Sequence, residues 1–457
     1  MQHDADQNRH SAERASETHP VILRTGEAPS RRIQDPPSDE IESLTPAAYP
    51  HWIRTITIFL TGQTLSIFGS AVVAYAVIWW VVLTTGSGWK YALIIIAAQL
   101  SQALTTLPGG ILADRFHRKT LLIGSDIFVT CWTIILAIFL LRGFESFWLI
   151  AAILCLRGLA GGVRLPAEGA VIPQLVPENK LIRINSINAT LVGLNYIAAP
   201  AVAALLLAAL PLGLILFVDV ITTVIGVGCI LAVTIPRVKS RIEAPTKITG
   251  YATQMLDAGR YVMAIPQLKR LAIIMVVMFI VVLGPANMGP VMVVRFFGDE
   301  KWMLAAIEMV WSVGMIAGGG IMAIWGGPKN RMTLALAVTG MWGIFSIGLG
   351  LSPNIWVFLV VMAVFGLTLP GFNIVSMTSV QERVPEHLLG RTMGLINFIM
   401  ALAIPLGMVI VGPLADVINL RVLAVVCGVI GMIFIGAVSL DRGPASRLYA
   451  PESSDGD

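Results

Sequence analysis

The sequence predicts an all-α membrane protein with twelve transmembrane helices in two six-helix, pseudo-symmetric bundles. Three observations lead to this fold class: a composition that is 56% hydrophobic and 13% charged, a series of long apolar runs, and motifs that recur in the second half of the chain. Soluble domains carry about 25% charged residues. The composition alone therefore places the chain among membrane proteins.

The apolar runs give the number of spans, because a helix needs about 20 apolar residues to cross the hydrocarbon core of a bilayer. Twelve runs meet this requirement, and they lie at 53–83, 90–112, 119–141, 147–172, 183–209, 212–235, 270–294, 302–325, 331–351, 354–379, 390–415 and 419–439. The longest break between runs, 236–269, divides them into a first half, 51–235, and a second half, 270–440.

The segments outside the spans are polar. Residues 1–50 are rich in charge and contain no apolar run of the kind found in secretory signals, so they are predicted to form a disordered tail. Residues 236–269 are predicted to be a linker, and residues 441–457 a second tail.

The distribution of lysine and arginine predicts the orientation. The loops that follow even-numbered spans hold 16 of these residues, and the loops that follow odd-numbered spans hold five. The five are Lys90, Arg142, Arg295, Lys301 and Arg421. Since cytoplasmic loops are enriched in positive charge, both tails and the linker are expected to be cytoplasmic, in a cytoplasmic membrane of bacterial type. The end of the bundle where the first span meets the second is called the predicted outer side below, and the opposite end the predicted inner side.

Two motifs recur at nearly the same offset. The sequence GGILA at 109–113 returns as GGIMA at 319–323, and VPENKLIR at 176–183 returns as VPEHLLGR at 384–391. Both copies fall in loops of the predicted inner side. Two six-span copies in the same orientation form a parallel repeat, and such repeats commonly place the substrate site at their interface near the membrane midplane.

The segment 109–119, GGILADRFHRK, resembles the signature that the major facilitator superfamily carries between its second and third helices. The pattern has the form G-x-x-x-D-(R/K)-x-G-R-(R/K), and His117 stands in place of its second glycine. The matching residues are Gly110, Asp114, Arg115, Arg118 and Lys119. Within the superfamily the chain is most similar to the drug–proton antiporter branch that contains macrolide efflux proteins. That similarity is carried by segments such as 62–71, 157–181 and 381–396.

The resemblance implies the major facilitator fold, alternating access and a cytoplasmic latch between the halves. The predicted latch consists of Gly110, Asp114, Arg118 and Glu168, and in the superfamily it stabilises the outward-facing state. A carboxylate such as Asp114 can face the positive N-terminus of another helix. Two partners are open for Glu168: Arg118 across the latch, or Arg164 four residues earlier on the same helix.

Charged residues inside the spans are the candidates for proton coupling. Placing an ionisable side chain in the membrane costs free energy, so such a residue is interpreted as functional by default. These candidates are Asp126, Arg157, Asp219 and Glu308. Arg157 matches the superfamily's arginine on the fourth helix, which is linked to proton transfer, and the three acids match positions where the macrolide efflux branch carries an acid. The alternative for each residue is a fixed structural ion pair.

Polar and aromatic residues within the spans are candidates for the substrate cavity. The polar candidates, which could instead hydrogen-bond between helices, are Gln63, Ser66, Ser70 and Asn195. The aromatic candidates, which could stack on a bulky amphipathic substrate, are Phe68, Tyr75 and Trp311.

The resemblance and the buried charges together predict a proton-coupled exporter of bulky, lipophilic, macrolide-like drugs. Its expected partners are an amphipathic small molecule, protons and the lipid bilayer, and it is expected to act as a monomer. The sequence contains no G-x-x-x-x-G-K-(S/T) loop for ATP and no catalytic constellation, so it predicts no enzyme, cofactor, metal site or nucleic-acid partner. The alternatives are an exporter of an endogenous metabolite such as a siderophore, and a non-transporting receptor or scaffold.

Overall fold

The computed structural model describes residues 51–235, 259–326 and 331–440. The predicted tails, most of the predicted linker and the loop 327–330 lie outside the described residues. Within the described ranges the regular structure is helical and contains no β-strand.

The first half contains six long helices, each matching one predicted span. They are α1 (Trp52–Thr85), α2 (Gly88–Arg115), α3 (Arg118–Leu141), α4 (Phe147–Leu175), α5 (Leu181–Ala209) and α6 (Leu212–Ala232). A single 3₁₀ turn, Glu178–Lys180, connects α4 to α5.

The second half also contains six spans, but its first span is divided into three segments. The segments are α7a (Pro266–Val281), α7b (Leu283–Asn287) and α7c (Gly289–Phe296). The remaining helices are α8 (Lys301–Trp325), α9 (Arg331–Leu351), α10 (Ile355–Gln381), α11 (Glu386–Val417) and α12 (Leu420–Leu440).

The predicted span over 270–294 corresponds to three helical segments rather than one continuous helix, and two prolines explain the breaks. A proline inside a helix removes one backbone hydrogen bond and clashes with the carbonyl four residues earlier. Pro285 therefore acts on residue 281, where α7a ends, and Pro290 acts on residue 286, next to the end of α7b. For this reason only eleven helices among the described residues are long enough to cross a membrane without interruption.

The second and fourth helices of each half pack closely through glycines. In the first half, a Cβ atom built on Gly109 of α2 would lie 2.5 Å from the carbonyl oxygen of Gly162 on α4. In the second half, Gly314 and Gly318 of α8 face the backbone of Ala363 and Leu367 on α10 in the same way. Small residues permit this close approach between membrane helices.

Gly109→Ala is expected to lower the stability of the folded protein. The added methyl would meet two backbone atoms of α4, the Gly162 oxygen at 2.5 Å and the Val163 Cα at 2.8 Å, and overpacking of this kind costs about 1–3 kcal/mol. The matched control is Gly110→Ala, because a Cβ on Gly110 would have no neighbour within 4 Å. Thermal unfolding of the purified protein in detergent measures the difference, and equal melting temperatures for the two variants would contradict the packing described.

The halves meet at the predicted outer side. There α2 packs on α11, with Gly88 against Ala415 and Gly412 against Ala92. Farther inward α5 packs on α8, where the Ser312 hydroxyl donates to the carbonyl of Tyr196 over 3.1 Å. A cavity of about 430 Å³ lies along the predicted inner halves of α1 and α5.

The interior of the second half contains a cluster of aromatic side chains. The Trp342 side chain is fully buried, with its ring centroid 5.9 Å from that of Phe279 and 5.0 Å from that of Phe372. Its indole N–H donates to the Thr368 hydroxyl over 2.8 Å. The first half differs, because its interior holds charged side chains.

Candidate functional site

The first half contains a buried ion pair between α4 and α6. The Arg157 Nη1 atom lies 2.6 Å from Oδ2 of Asp219, whose side chain is 0% exposed. The Ser70 hydroxyl of α1 donates to Oδ1 of the same carboxylate over 2.6 Å. The Thr133 hydroxyl of α3 lies 3.2 Å from Oδ2. Asp219 is thus held by groups from three other helices.

A second buried cluster centres on Arg164. Its Nε atom lies 3.1 Å from Oδ1 of Asp126 on α3, and its Nη2 atom donates to the Gln63 side chain of α1. Glu168, one turn along α4, lies 3.9 Å from the same guanidinium. Asp126 Oδ2 and Gln63 Nε2 are buried and have no hydrogen-bond partner among the described residues. This cluster is therefore less completely satisfied than the one around Asp219.

The spacing along three helices stacks the two clusters in layers. Gln63 and Ser70 are seven residues apart on α1, and the same spacing separates Asp126 from Thr133 and Arg157 from Arg164. Seven residues are about two helical turns, so each pair lies on one face with a separation of about 10 Å. The Asp219 layer is nearer to the predicted outer side, and the Arg164 layer is nearer to the predicted inner side.

Glu308 occupies a separate position, on α8 at the boundary between the halves. The Tyr75 side chain of α1 lies next to its carboxylate. No cation among the described residues pairs with Glu308. It therefore differs from Asp126 and Asp219, which each contact an arginine.

A largely apolar cavity of about 220 Å³ adjoins Glu308. Its walls include Trp311 of α8 and Phe279 of α7a. They also include Tyr91 of α2, whose hydroxyl donates to the carbonyl of Asn287 over 2.8 Å. Because Asn287 ends α7b, this hydrogen bond crosses the halves at the break in the seventh span.

The predicted cavity residues occupy four different environments. Phe68 and Asn195 line the cavity along α1 and α5, whereas Trp311 and Tyr75 lie beside or against Glu308. Gln63 and Ser70 bind the buried charges of the two layers instead. Ser66 is also buried, next to Gly226 of α6.

Among the described residues, the contacts of the predicted latch residues lie within the first half. The Arg118 Nη1 atom donates to the Ala170 carbonyl of α4 over 2.6 Å, and Glu168 lies beside Arg164. Of the two partners considered for Glu168, the structure contains the one on the same helix, Arg164. It does not contain the Arg118–Glu168 pair. Asp114 is exposed in the last turn of α2, and Gly110 faces open space. A latch between the halves stays a prediction for the conformation that is closed at the predicted inner side.

Two residues of the site were absent from the sequence prediction. Thr133 has a recognisable signal, its spacing of seven from Asp126, which repeats on α1 and α4. Tyr91 has no such signal, because its partner is a backbone carbonyl freed by a break in another helix.

Comparison with known proteins identifies related chains. A family model described as Major Facilitator Superfamily matches residues 59–408 and 330–454. Macrolide efflux protein A of Streptococcus pyogenes is 28% identical over 373 residues, which cover 80% of this chain and 91% of that protein. The protein of the same name from Enterococcus faecalis is 30% identical over 304 residues, with coverage of 65% and 93%. The multidrug efflux pump Tap of Mycobacterium tuberculosis H37Rv is 24% identical over 419 residues, with coverage of 87% and 97%.

Solved structures share the fold at low sequence identity. The nucleoside transporter NupG matches with a TM-score of 0.66 and 13% identity, covering 85% of this chain and 99% of that one. A bacterial homologue of the human lysosomal transporter Spinster, in an inward-facing and unoccupied conformation, matches with a TM-score of 0.62 and 14% identity, covering 85% and 96%.

Proposed function

Because the chain belongs to the Major Facilitator Superfamily, we propose that it exports bulky, lipophilic molecules of the macrolide type in exchange for protons. It does so by alternating access, in which the two halves separate first at one side of the membrane and then at the other. The coupling requires a group that changes its protonation and thereby alters the contact between the halves.

The relatives and the cavity support the substrate class. Two of the relatives are macrolide efflux proteins and a third is a multidrug efflux pump. The cavity along α1 and α5 is lined by apolar side chains together with threonines and one asparagine, and none of its lining residues is charged. Pockets of this composition suit lipophilic ligands, with a few polar groups fixing the orientation.

The position of Glu308 carries the proposal of proton coupling. Protonation of Asp219 would remove the charge that pairs with Arg157, and protonation of Asp126 would weaken its pair with Arg164. Protonation of Glu308 breaks no ion pair within the part of the chain that the structure describes. Because Tyr75 belongs to the other half, a change of charge on Glu308 acts directly on a contact between the halves.

The membrane potential and the proton gradient supply the energy in this proposal. Each elementary charge that crosses 100 mV is worth about 2.3 kcal/mol, and each 1.4 kcal/mol is a factor of ten in concentration. One proton per cycle therefore supports an accumulation of about fifty-fold.

Uptake of substrate into inverted membrane vesicles tests the function. Vesicles that contain the protein are expected to accumulate a macrolide when respiration acidifies their interior, and a protonophore should abolish the accumulation. Vesicles from the same cells without the protein are the control. A tetracycline and a fluorescent lipophilic cation complete the panel. If vesicles with and without the protein take up each of the three compounds to the same extent, the proposal is contradicted and an exporter of an endogenous metabolite is favoured.

A further inference from the structure

A polar cluster joins the two halves at the predicted outer side, far from both buried layers. Asp416 is the penultimate residue of α11, and its carboxylate accepts hydrogen bonds from the start of α2. The donors are the Ser87 hydroxyl at 2.7 Å, the Gly88 N–H at 2.7 Å and the Trp89 N–H at 3.0 Å. The carboxylate of one half therefore caps a helix of the other half.

The chemistry of a helix N-terminus explains why a carboxylate binds there. The first N–H groups of a helix have no partner within the helix, and the helix dipole favours a negative charge at that end. Ser87, the N-cap of α2, satisfies the N–H of Lys90 with its hydroxyl oxygen. Asp416 supplies acceptors for the N–H groups of Gly88 and Trp89.

Arg295, in the last turn of α7c, contacts both Asp416 of the second half and the backbone of the first half. Its Nη2 atom pairs with Asp416, and its Nη1 atom donates to the Ala415 carbonyl over 2.5 Å. Its Nε atom donates to the Gly86 carbonyl of the first half over 2.8 Å. One guanidinium thus orients the Asp416 carboxylate and also makes its own contact across the boundary.

The surrounding packing holds the cluster in place. Gly88 and Gly412 lie where α2 and α11 approach most closely, with Ala415 and Ala92 opposite them. On the side of the second half, the Arg421 guanidinium lies 4.6 Å from the ring centroid of Phe296, at the end of α7c. The glycine contacts join the two halves, and the Arg421–Phe296 contact lies within the second half and supports the end of α7c that carries Arg295.

We propose that Asp416 and Arg295, with the Ser87–Trp89 turn as their partner, form an outer gate. The gate holds the halves together at the predicted outer side and must break before substrate leaves in that direction. This inference rests on the alternating access of the proposed function.

The outer gate is the counterpart of the predicted latch at the other end of the same two helices. Asp114 is the penultimate residue of α2, as Asp416 is of α11. Each helix therefore carries an aspartate at its C-terminal end that can cap the N-terminus of the other. In the structure Asp416 accepts a hydrogen bond from the start of α2, whereas Asp114 is exposed.

Distance measurements between spin labels test the outer gate. The labels would be attached through Arg142→Cys at the end of α3 and Leu351→Cys at the end of α9, after replacement of the four native cysteines. Both positions are exposed and lie in different halves on the predicted outer side. The full chain is measured in lipid nanodiscs, without substrate or proton gradient, so the outcome does not depend on whether the protein exports macrolides.

Asp416→Ala is expected to raise the ratio of the long-distance to the short-distance population by at least about tenfold, the effect of losing one hydrogen bond to a charged group. Arg295→Ala should act in the same direction, because it removes the hydrogen bond to the Gly86 carbonyl. The effect of the double variant should be smaller than the sum of the two single effects, because the two residues are in contact. Asp416→Asn, which keeps the shape and one acceptor oxygen, should give a smaller rise. It also tests the gate if the alanine variant folds poorly.

The matched control is Glu145→Ala, an exposed acid in the loop between α3 and α4 on the same side. It should leave the distance distribution unchanged. The outer gate would be ruled out if the Asp416 and Arg295 variants gave the same distribution as this control.

Discussion

Asp219→Ala is expected to destabilise the folded protein by about 3–5 kcal/mol, the usual cost of removing one partner of a buried ion pair. The substitution leaves the Arg157 guanidinium, whose side chain is 11% exposed, without its carboxylate. It also removes the acceptor of the Ser70 hydroxyl. Export of substrate should be lost together with stability, because the Asp219 layer connects four of the six helices of the first half.

The thermal unfolding of purified protein and its yield from membranes measure this effect. Asp299→Ala, which removes an exposed acid just before α8, is the control and should leave the melting temperature unchanged. The double variant Arg157→Met/Asp219→Leu should recover most of the stability, since apolar side chains of similar volume often replace a buried ion pair without loss. An Asp219→Ala protein as stable as the control would contradict the structural role given to this pair.

Glu308→Gln is expected to abolish proton-driven accumulation while leaving passive exchange of substrate intact. Glutamine keeps the size and the polarity of the side chain, but it cannot gain or lose a proton near neutral pH. Uptake in energised inverted vesicles should fall to the level of vesicles that lack the protein. Exchange of labelled for unlabelled substrate, measured with no gradient, should continue.

The control for this experiment is Glu300→Gln, an exposed acid immediately before α8. It should accumulate substrate like the unmodified protein. If Glu308→Gln accumulates substrate to the same extent as Glu300→Gln, proton coupling does not depend on Glu308. If both accumulation and exchange disappear, Glu308 is needed for substrate binding or for the movement of the halves.

The fold was predictable from the sequence because apolar length and loop charge are properties of local segments. Each predicted span corresponds to a helix or, in the seventh span, to a group of helical segments. The break in the seventh span was missed because Pro285 and Pro290 hardly change the hydrophobicity of the run. Their effect is on backbone hydrogen bonds, which a count of apolar residues does not register.

The site was only partly predictable. Placing a charge inside the membrane costs free energy, and this identified Asp126, Arg157 and Asp219 as candidate functional residues. Their partners depend on which helices face each other, and local sequence does not contain that information. Arg164 is an example, because its contact with Asp126 on α3 is closer than its contact with Glu168 on its own helix.

The outer gate was not predictable for a related reason. Asp416 lies at the end of an apolar run, where acids are common, and Arg295 counted only as one of the positive charges near the predicted outer side. Their significance comes from a cap supplied to a helix that is more than three hundred residues away along the chain.

The central claim is that substrate and proton cross the membrane in opposite directions through the same protein. Purified protein in liposomes loaded with a pH-sensitive dye tests this claim most directly. A macrolide added outside and moving inward down its gradient should drive protons outward and make the lumen more alkaline, and Glu308→Gln should eliminate the pH change. Entry of labelled macrolide without any change in lumenal pH, at a rate above that of empty liposomes, would contradict proton-coupled exchange.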